Sequence, residues 1–170
     1  EDALAWDGTH LDTVSPVLLD VGAAGKGHLV DLVSALLADA GVERSVVDGS
    51  GDLRVHDVPM RIALEHPGDT TKAVGVAELS AGALSASAGN RRRLADGRHH
   101  ILDAVTGLPA RDVVATWAVA SDDLTADGAA TALFFDVDPE WLEGRGVEWV
   151  RMLSDGGLEV SRAFPGEVFS

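Results

Sequence analysis

Cysteine is absent from the 170 residues. That excludes disulfides, thiolate metal sites, cysteine nucleophiles and a lipid-modified cysteine within this sequence. Cations are scarce: 13 Lys and Arg stand against 28 Asp and Glu, for a formal net charge of -15. A surface of that sign repels nucleic acid and anionic membranes. A polyanionic ligand would have to be held by local cations and backbone N–H groups against this field. Lys26, Arg61, Arg91, Arg92, Arg93 and Arg98 are the obvious local cations. No run is long and apolar enough to span a bilayer, and the first residues do not form a signal peptide. The start, EDALAWDG, is acidic and lacks an initiator Met, so we read a processed chain, an isolated domain or a fragment. Internal repeats, low-complexity tracts and long linkers are missing too. The length suits one domain with a real core.

Apolar periodicity and turn residues lay out the elements. A short strand or hairpin arm is expected over Trp6 to Leu11, and a strand over Val17 to Val21. Gly22, Gly25 and Gly27 then make a turn into a helix from about His28 to Ala40. Leu29, Val30, Leu32, Val33, Leu36, Leu37 and Ala40 give that helix a broad apolar face, with Gly41 as its cap. Strands are expected at 45–47, 53–58, 60–65, 73–79, 83–88 and 113–120, with Pro59 separating two of them. A hairpin around Asp96-Gly97 is expected within 89–107. A helix over Thr125 to Phe135, capped near Thr125 or Ser121, precedes a short helix at 139–142. A closing hairpin is expected over Val147 to Leu153 and Leu158 to Phe164. Many strands with short turns and only two substantial helices predict an α+β layered fold rather than a doubly wound one.

Two segments far apart in the chain could carry chemistry. In DVGAAGKGHLVD, Asp20 to Asp31, glycines leading into a helix let the backbone approach a phosphate, and Lys26 adds a point charge. The phosphate-loop and dinucleotide patterns both fail here, because their glycines and hydroxyl residue are misplaced. A tight strand-to-helix turn with glycines chosen for packing explains the segment equally. In LTADGAATALFF, Leu124 to Phe135, Asp127 and Thr131 stand one helical turn apart on a common face. Their oxygen donors suit Mg²⁺ or Ca²⁺ rather than zinc. The alternative is an Asp favouring the helix dipole and a Thr bonded to a carbonyl one turn back. In GRHHILDAVTGLP, Gly97 to Pro109, a His could move a proton near neutral pH, or be a surface residue. The turn Asp48 to Asp52 could be a backbone nest or simply a hairpin turn.

Taken in order, these pieces resemble the ApbE-like FAD:protein FMN transferases. The family's D-x-G-G-x-x-K-G is similar to Asp20 through Gly27, and its N-x-G-G-D turn to Asp48 through Asp52. Its W-R-[IV]-G-I-x-x-P strand resembles Met60 through Pro67, and its A-[VL]-[AS]-T-S-G strand resembles Ala83 through Ala88. Its H-[IL]-[IL]-D-P-x-T-G-x-P hairpin is similar to His100 through Pro109. Its A-D-A-x-[AS]-T-A-L helix resembles Ala126 through Leu133. Departures stand at Ala23, Asp48, Ser50, Met60, Ala86, Ala88 and Ala104, mostly in turns and packing positions.

The resemblance implies a T-fold-like layered architecture, mostly antiparallel sheet with two main helices. It implies a single flavin transferase domain over 1–170, lacking the family's N-terminal region. The implied activity is Mg²⁺-dependent transfer of FMN from FAD to a Thr or Ser hydroxyl of an acceptor protein, with release of AMP. Carried over by position, Asp20, Lys26 and Ile101 would contact FAD. The Ala23 carbonyl, Asp127 and Thr131 would bind Mg²⁺, and His100 would lie near the chemistry. The expected partners are FAD and the acceptor protein, with an N-terminal fragment or second chain completing the site. The location is unknown from this chain, which shows no signal or lipobox; the resemblance suggests an extracytoplasmic one. The competing expectation is a flavin-nucleotide binding protein that does not transfer, or a degenerate module needing a partner chain.

Overall fold

The computed structural model describes residues 4–17, 20–90, 100–103 and 106–169. Arg91–Arg93, Arg98, His99, Ala104, Leu18, Leu19 and the Asp96-Gly97 turn lie outside them.

A hairpin of β1 (Leu4–Trp6) and β2 (Leu11–Thr13) leads to helix α1 (Gly25–Asp39). Next come β3 (Ser45–Asp48), β4 (Asp52–His56), β5 (Met60–Glu65), β6 (Ala73–Leu79), β7 (Gly82–Ala88) and β8 (Val113–Ala120). Helices α2 (Asp123–Ala132) and α3 (Pro139–Glu143) follow, then β9 (Glu148–Leu153), β10 (Leu158–Val160) and β11 (Gly166–Val168). Strands β10-β9-β8-β7-β4-β3 form a six-stranded antiparallel sheet, and β11-β6-β5 a three-stranded one. The α+β layered architecture expected from the sequence is the one observed.

The layering follows from the side-chain period of β8, which is buried on both faces. Ala115, Trp117 and Val119 point into a core shared with Leu64, Val74, Ala77 and Leu79 of the small sheet. Ala118 and Ala120 point the other way, onto Ala126, Ala129, Ala130 and Leu133 of α2 and its end. Small residues on both surfaces let the helix approach closely. The Thr116 hydroxyl, on that same face, donates to the Ala130 carbonyl at 2.5 Å. α2 therefore lies on the large sheet with its first turn beside β7 and α1.

Several expectations need correction. α1 begins at Gly25, not His28, so Gly25 and Gly27 are helical residues rather than turn residues. Gly41 follows the C-cap, Ala40, with φ +82°. The broad apolar face of α1 is largely uncovered: Leu29, Leu32 and Leu36 are 61%, 49% and 68% exposed, and only Gly27 and Val30 are buried. The helix leans on α2, β3 and β4 along one narrow side. α2 is capped by Asp122, whose side chain accepts from Thr125 N at 2.8 Å, and not by Thr125 or Ser121. Of the strand expected at 17–21, Val17, Asp20 and Val21 are not in a strand. β11 was not expected; it pairs with β6 at the sheet edge. Among the described residues no helix is long and apolar enough to cross a membrane.

Candidate functional site

The start of α1 meets the start of α2. The turn Gly22–Ala24 closes when Ala24 N and Gly25 N donate to the Val21 carbonyl, at 3.1 and 2.7 Å. Asp20 Oδ1 accepts from Gly22 N at 2.7 Å, so this exposed carboxylate shapes the loop. Ala24, the N-cap of α1, offers no side-chain acceptor. Gly27 is buried, and a Cβ there would sit 2.2 Å from the Asp123 carbonyl oxygen and 2.8 Å from Asp127 Cβ. Only glycine allows the two helices this close.

That approach assembles a polar cluster from residues about a hundred positions apart. Gly27 N donates to Asp127 Oδ2 at 3.0 Å. Asp31, one turn further along α1, accepts from Asp123 N at 2.9 Å and Leu124 N at 2.8 Å. Its carboxylate thereby satisfies two of the free N–H groups at the start of α2 and complements the positive end of the helix. Arg54 Nε lies 3.5 Å from Asp31 Oδ1, and the Arg54 guanidinium also donates to the Ser121 carbonyl. Lys26 Nζ pairs with Asp52 Oδ2 and lies 3.8 Å from Asp127 Oδ1. Asp123 Oδ1 accepts from the Ser85 hydroxyl at 2.7 Å.

Four carboxylates, Asp31, Asp52, Asp123 and Asp127, thus share two cations, Lys26 and Arg54. Asp52 and Asp123 are fully buried, and Asp127 is 2% exposed. Asp52 Oδ1 and Asp123 Oδ2 are buried with no hydrogen-bond partner. Burial raises the Asp127 pKa, opposed by the Gly27 N–H bond and Lys26. Burial, followed by the charges of Asp52, Asp31 and Asp127, pushes Asp123 up to about 7, against the lowering effect of the Ser85 bond.

A carboxyl whose folded pKa lies above its unfolded value stabilises fully below the unfolded value and progressively less as pH rises through the folded one. For Asp123 that window runs from 3.8 to about 7. Asp123→Asn keeps the shape and an acceptor for Ser85 but cannot ionise. Its stability relative to the wild type should therefore improve as pH rises through this window and level off above it. Urea midpoints at acid and alkaline pH measure this; a constant offset would show that Asp123 is not the titrating group.

Of the site residues expected from sequence, the structure brings Lys26 and Asp127 together. Thr131 stands half-buried one turn after Asp127 on α2. Asp20 and exposed Ala23 lie on the loop entering α1. His100 is exposed, on the segment 100–103. Ile101, 5% exposed, shares a small buried cluster with Val113 and Phe134, the latter just past the end of α2. A surface groove of about 650 Å³ opens beside this second region, among Asp103, Ala110, Arg111, Phe134, Phe135 and Arg151. It does not include Lys26, Asp52 or Asp127.

Sequence reasoning does not single out Asp123, and sees Ser85 only within the A-[VL]-[AS]-T-S-G-like strand and Asp52 only as the last residue of a turn. The signal for Asp52 is its place at the end of the N-x-G-G-D-like segment. Nothing local marks Asp123.

Residues 2–148 match the model of the ApbE family. The chain belongs to the ApbE family. It is 32% identical over 166 residues to the FAD:protein FMN transferase of Rhodobacter capsulatus, covering 91% of this chain and 32% of that protein. It is 33% identical over 141 residues to the FAD:protein FMN transferase of Vibrio cholerae, covering 76% of this chain and 42% of that protein. The crystal structure of the ApbE protein from Thermotoga maritima superposes with a TM-score of 0.82 at 26% identity, over 97% of this chain and 60% of that one. This ApbE-family chain therefore spans well under half the length of the curated relatives it matches.

The residues present suit a hard cation. Asp127, Thr131 and the Ala23 carbonyl all offer oxygen, and Asp52 Oδ1 and Asp123 Oδ2 are buried without a hydrogen-bond partner. Among the described residues, no three His, Cys, Asp or Glu side chains gather as a metal-binding group. A set of one carboxylate, one hydroxyl and one carbonyl, completed by water and phosphate oxygens, is the kind Mg²⁺ accepts.

Proposed function

We propose that this chain carries the diphosphate- and metal-binding part of an FAD:protein FMN transferase. It would act in Mg²⁺-dependent transfer of FMN from FAD to a Thr or Ser hydroxyl of an acceptor protein, releasing AMP. The observation that carries the reading is the convergence of the Lys26 ammonium and the Gly27 N–H on Asp127, at 3.8 and 3.0 Å. One point charge and one helix start thereby flank a carboxylate suited to a metal. The names of the curated relatives support the choice of FAD and of a protein acceptor.

In this reaction the acceptor hydroxyl oxygen forms a bond to the FMN-side phosphorus, and the bond from that phosphorus to the bridging oxygen of AMP breaks. Transfer of this type needs positioning and charge neutralisation more than covalent help from the protein. Asp127, Thr131 and the Ala23 carbonyl would hold Mg²⁺, which when bound neutralises charge on the diphosphate. Lys26 adds a positive charge on the first turn of α1, at the helix end whose dipole favours an anion. Asp20, by holding Gly22 N, keeps the loop in the shape that presents Ala23. The Ile101 side chain is packed inside, so its contact with FAD would be through the main chain. His100, exposed beside Ile101 in the chain, is the candidate to take the hydroxyl proton.

Calorimetric titration with FAD, with Mg²⁺ and then with chelator, tests the reading. Saturable binding that weakens at least about tenfold when the metal is removed is expected, since a bound cation contributes several kcal/mol against phosphate charge. Binding indifferent to chelator would remove the metal from the proposal.

A further inference from the structure

We infer that Asp52 is a positioning residue, whose fully buried carboxylate fixes the Lys26 ammonium where it meets the diphosphate of FAD. This rests on the transferase reading and adds to it a residue that touches neither substrate nor metal.

Asp52 stands on a rigid frame. It opens β4, its carbonyl accepts from Gly49 N at 2.7 Å, and it lies opposite Ser85 in the sheet. The preceding turn passes through positive φ at Ser50 (66°) and Gly51 (109°), and the Gly51 carbonyl accepts from Ala86 N at 2.8 Å. The carboxylate has little freedom to move. Lys26 is the opposite case: a long flexible side chain, 43% exposed, on the first turn of a helix. A lysine is a mobile point charge unless something holds it.

Asp52 is what holds it. One Asp52 oxygen takes the ammonium, while the other is buried without a partner. Departure of Lys26 would leave a wholly unpaired buried charge, which is strongly unfavourable. The pair therefore persists in the absence of ligand. An ammonium has three N–H donors. Asp52 takes one and Asp127 Oδ1 lies 3.8 Å away, and Lys26, 43% exposed, still has donor capacity to offer an anion. In a chain of net charge -15, a cation held in place before the ligand arrives matters more than one that must be recruited from solvent.

The opposite possibility is that Asp52 competes with phosphate for Lys26, and the two make contrary predictions. FAD titrations in Mg²⁺ on the 170-residue chain, comparing wild type, Asp52→Asn, Lys26→Gln and the double variant, separate them. Gln retains a hydrogen-bond donor for Asp52 but no countercharge, and the double variant removes the buried charge as well. We expect Asp52→Asn to weaken FAD binding about tenfold at unchanged stoichiometry. Unchanged stoichiometry is the signature of altered positioning, whereas general unfolding would reduce the number of competent sites. The double variant should bind no more weakly than Lys26→Gln alone, because Asp52 acts through Lys26. Wild-type or tighter binding in Asp52→Asn, or losses that add in full, would overturn the inference while leaving the transferase reading standing. A wild-type chain that binds no FAD would overturn both. Should the Asn variant not fold, Asp52→Glu keeps the charge but moves it by a methylene. The same loss is expected, and wild-type affinity there would also overturn the inference.

Discussion

Gly27→Ala should destabilise the chain by about 2–3 kcal/mol, although it replaces a helical glycine by the best helix former. Two effects oppose each other. The helix propensity gain of Ala over Gly is about 1 kcal/mol. Against it, the new Cβ would lie 2.2 Å from the Asp123 carbonyl oxygen and 2.6 Å from its carbon. These are main-chain atoms at the first residue of α2, so no side chain can swing away. Relief requires the two helices to separate, and overpacking of that kind typically costs about 1–3 kcal/mol, occasionally more. Separation also stretches the bonds that cross the contact: Gly27 N to Asp127, and Asp31 to Asp123 N and Leu124 N. The clash plus the weakened bonds exceed the propensity term. Gly128→Ala is the matched control: it is also helical, nothing lies within 4 Å of its added Cβ, and it should gain about 0.5–1 kcal/mol. Urea midpoints of the two variants measure the difference. Equal stabilisation in both would mean that the helices do not approach as described.

Asp127→Asn should abolish Mg²⁺-dependent FAD binding, by about 100-fold or more, without unfolding the chain. The amide keeps an oxygen to accept from Gly27 N, so no buried donor is orphaned. It removes a negative charge that burial and the neighbouring Asp52 already disfavour. Stability near pH 8 should hold or rise slightly. Binding should not survive, because the charged ligand in the proposed metal set is gone and a bound cation contributes several kcal/mol against phosphate charge. Each 1.4 kcal/mol is tenfold in affinity. Loss of binding with intact folding marks a functional carboxylate, whereas loss of folding with residual binding marks a structural one. Thr131→Val, removing a neutral ligand of similar shape, should show a smaller fall in the same direction.

These expectations depend on features of very different legibility. The strands at 60–65, 73–79 and 113–120 have the bounds that their sequence pattern predicts. Proline and glycine punctuation and strict alternation are local properties, and a strand buried on both faces must be apolar nearly throughout. The glycine loop, the Asp127–Thr131 spacing and the order of short motifs were legible for the same reason: each lies within one segment. The absence of cysteine and the acidic balance are likewise complete without a fold.

The tertiary structure decided which of these segments meet. Gly27 looked like a turn residue because glycine is rare inside helices. It is helical, and is glycine because α2 lies against it, a fact encoded nearly a hundred residues away. Asp123 carries no distinguishing local pattern, and for Asp31 and Asp52 the short motifs they close give no partner, since an isolated aspartate reads as a cap or a surface charge. Their role comes from burial beside Lys26 and Asp127, which depends on how α1, α2, β4 and β7 pack. The leucines of α1 show the converse. Periodicity showed that they share a face, but whether anything covers that face is a property of the packed molecule, where they remain exposed. Periodicity is a local constraint on the backbone, whereas charge, desolvation and close approach arise only when distant segments pack together.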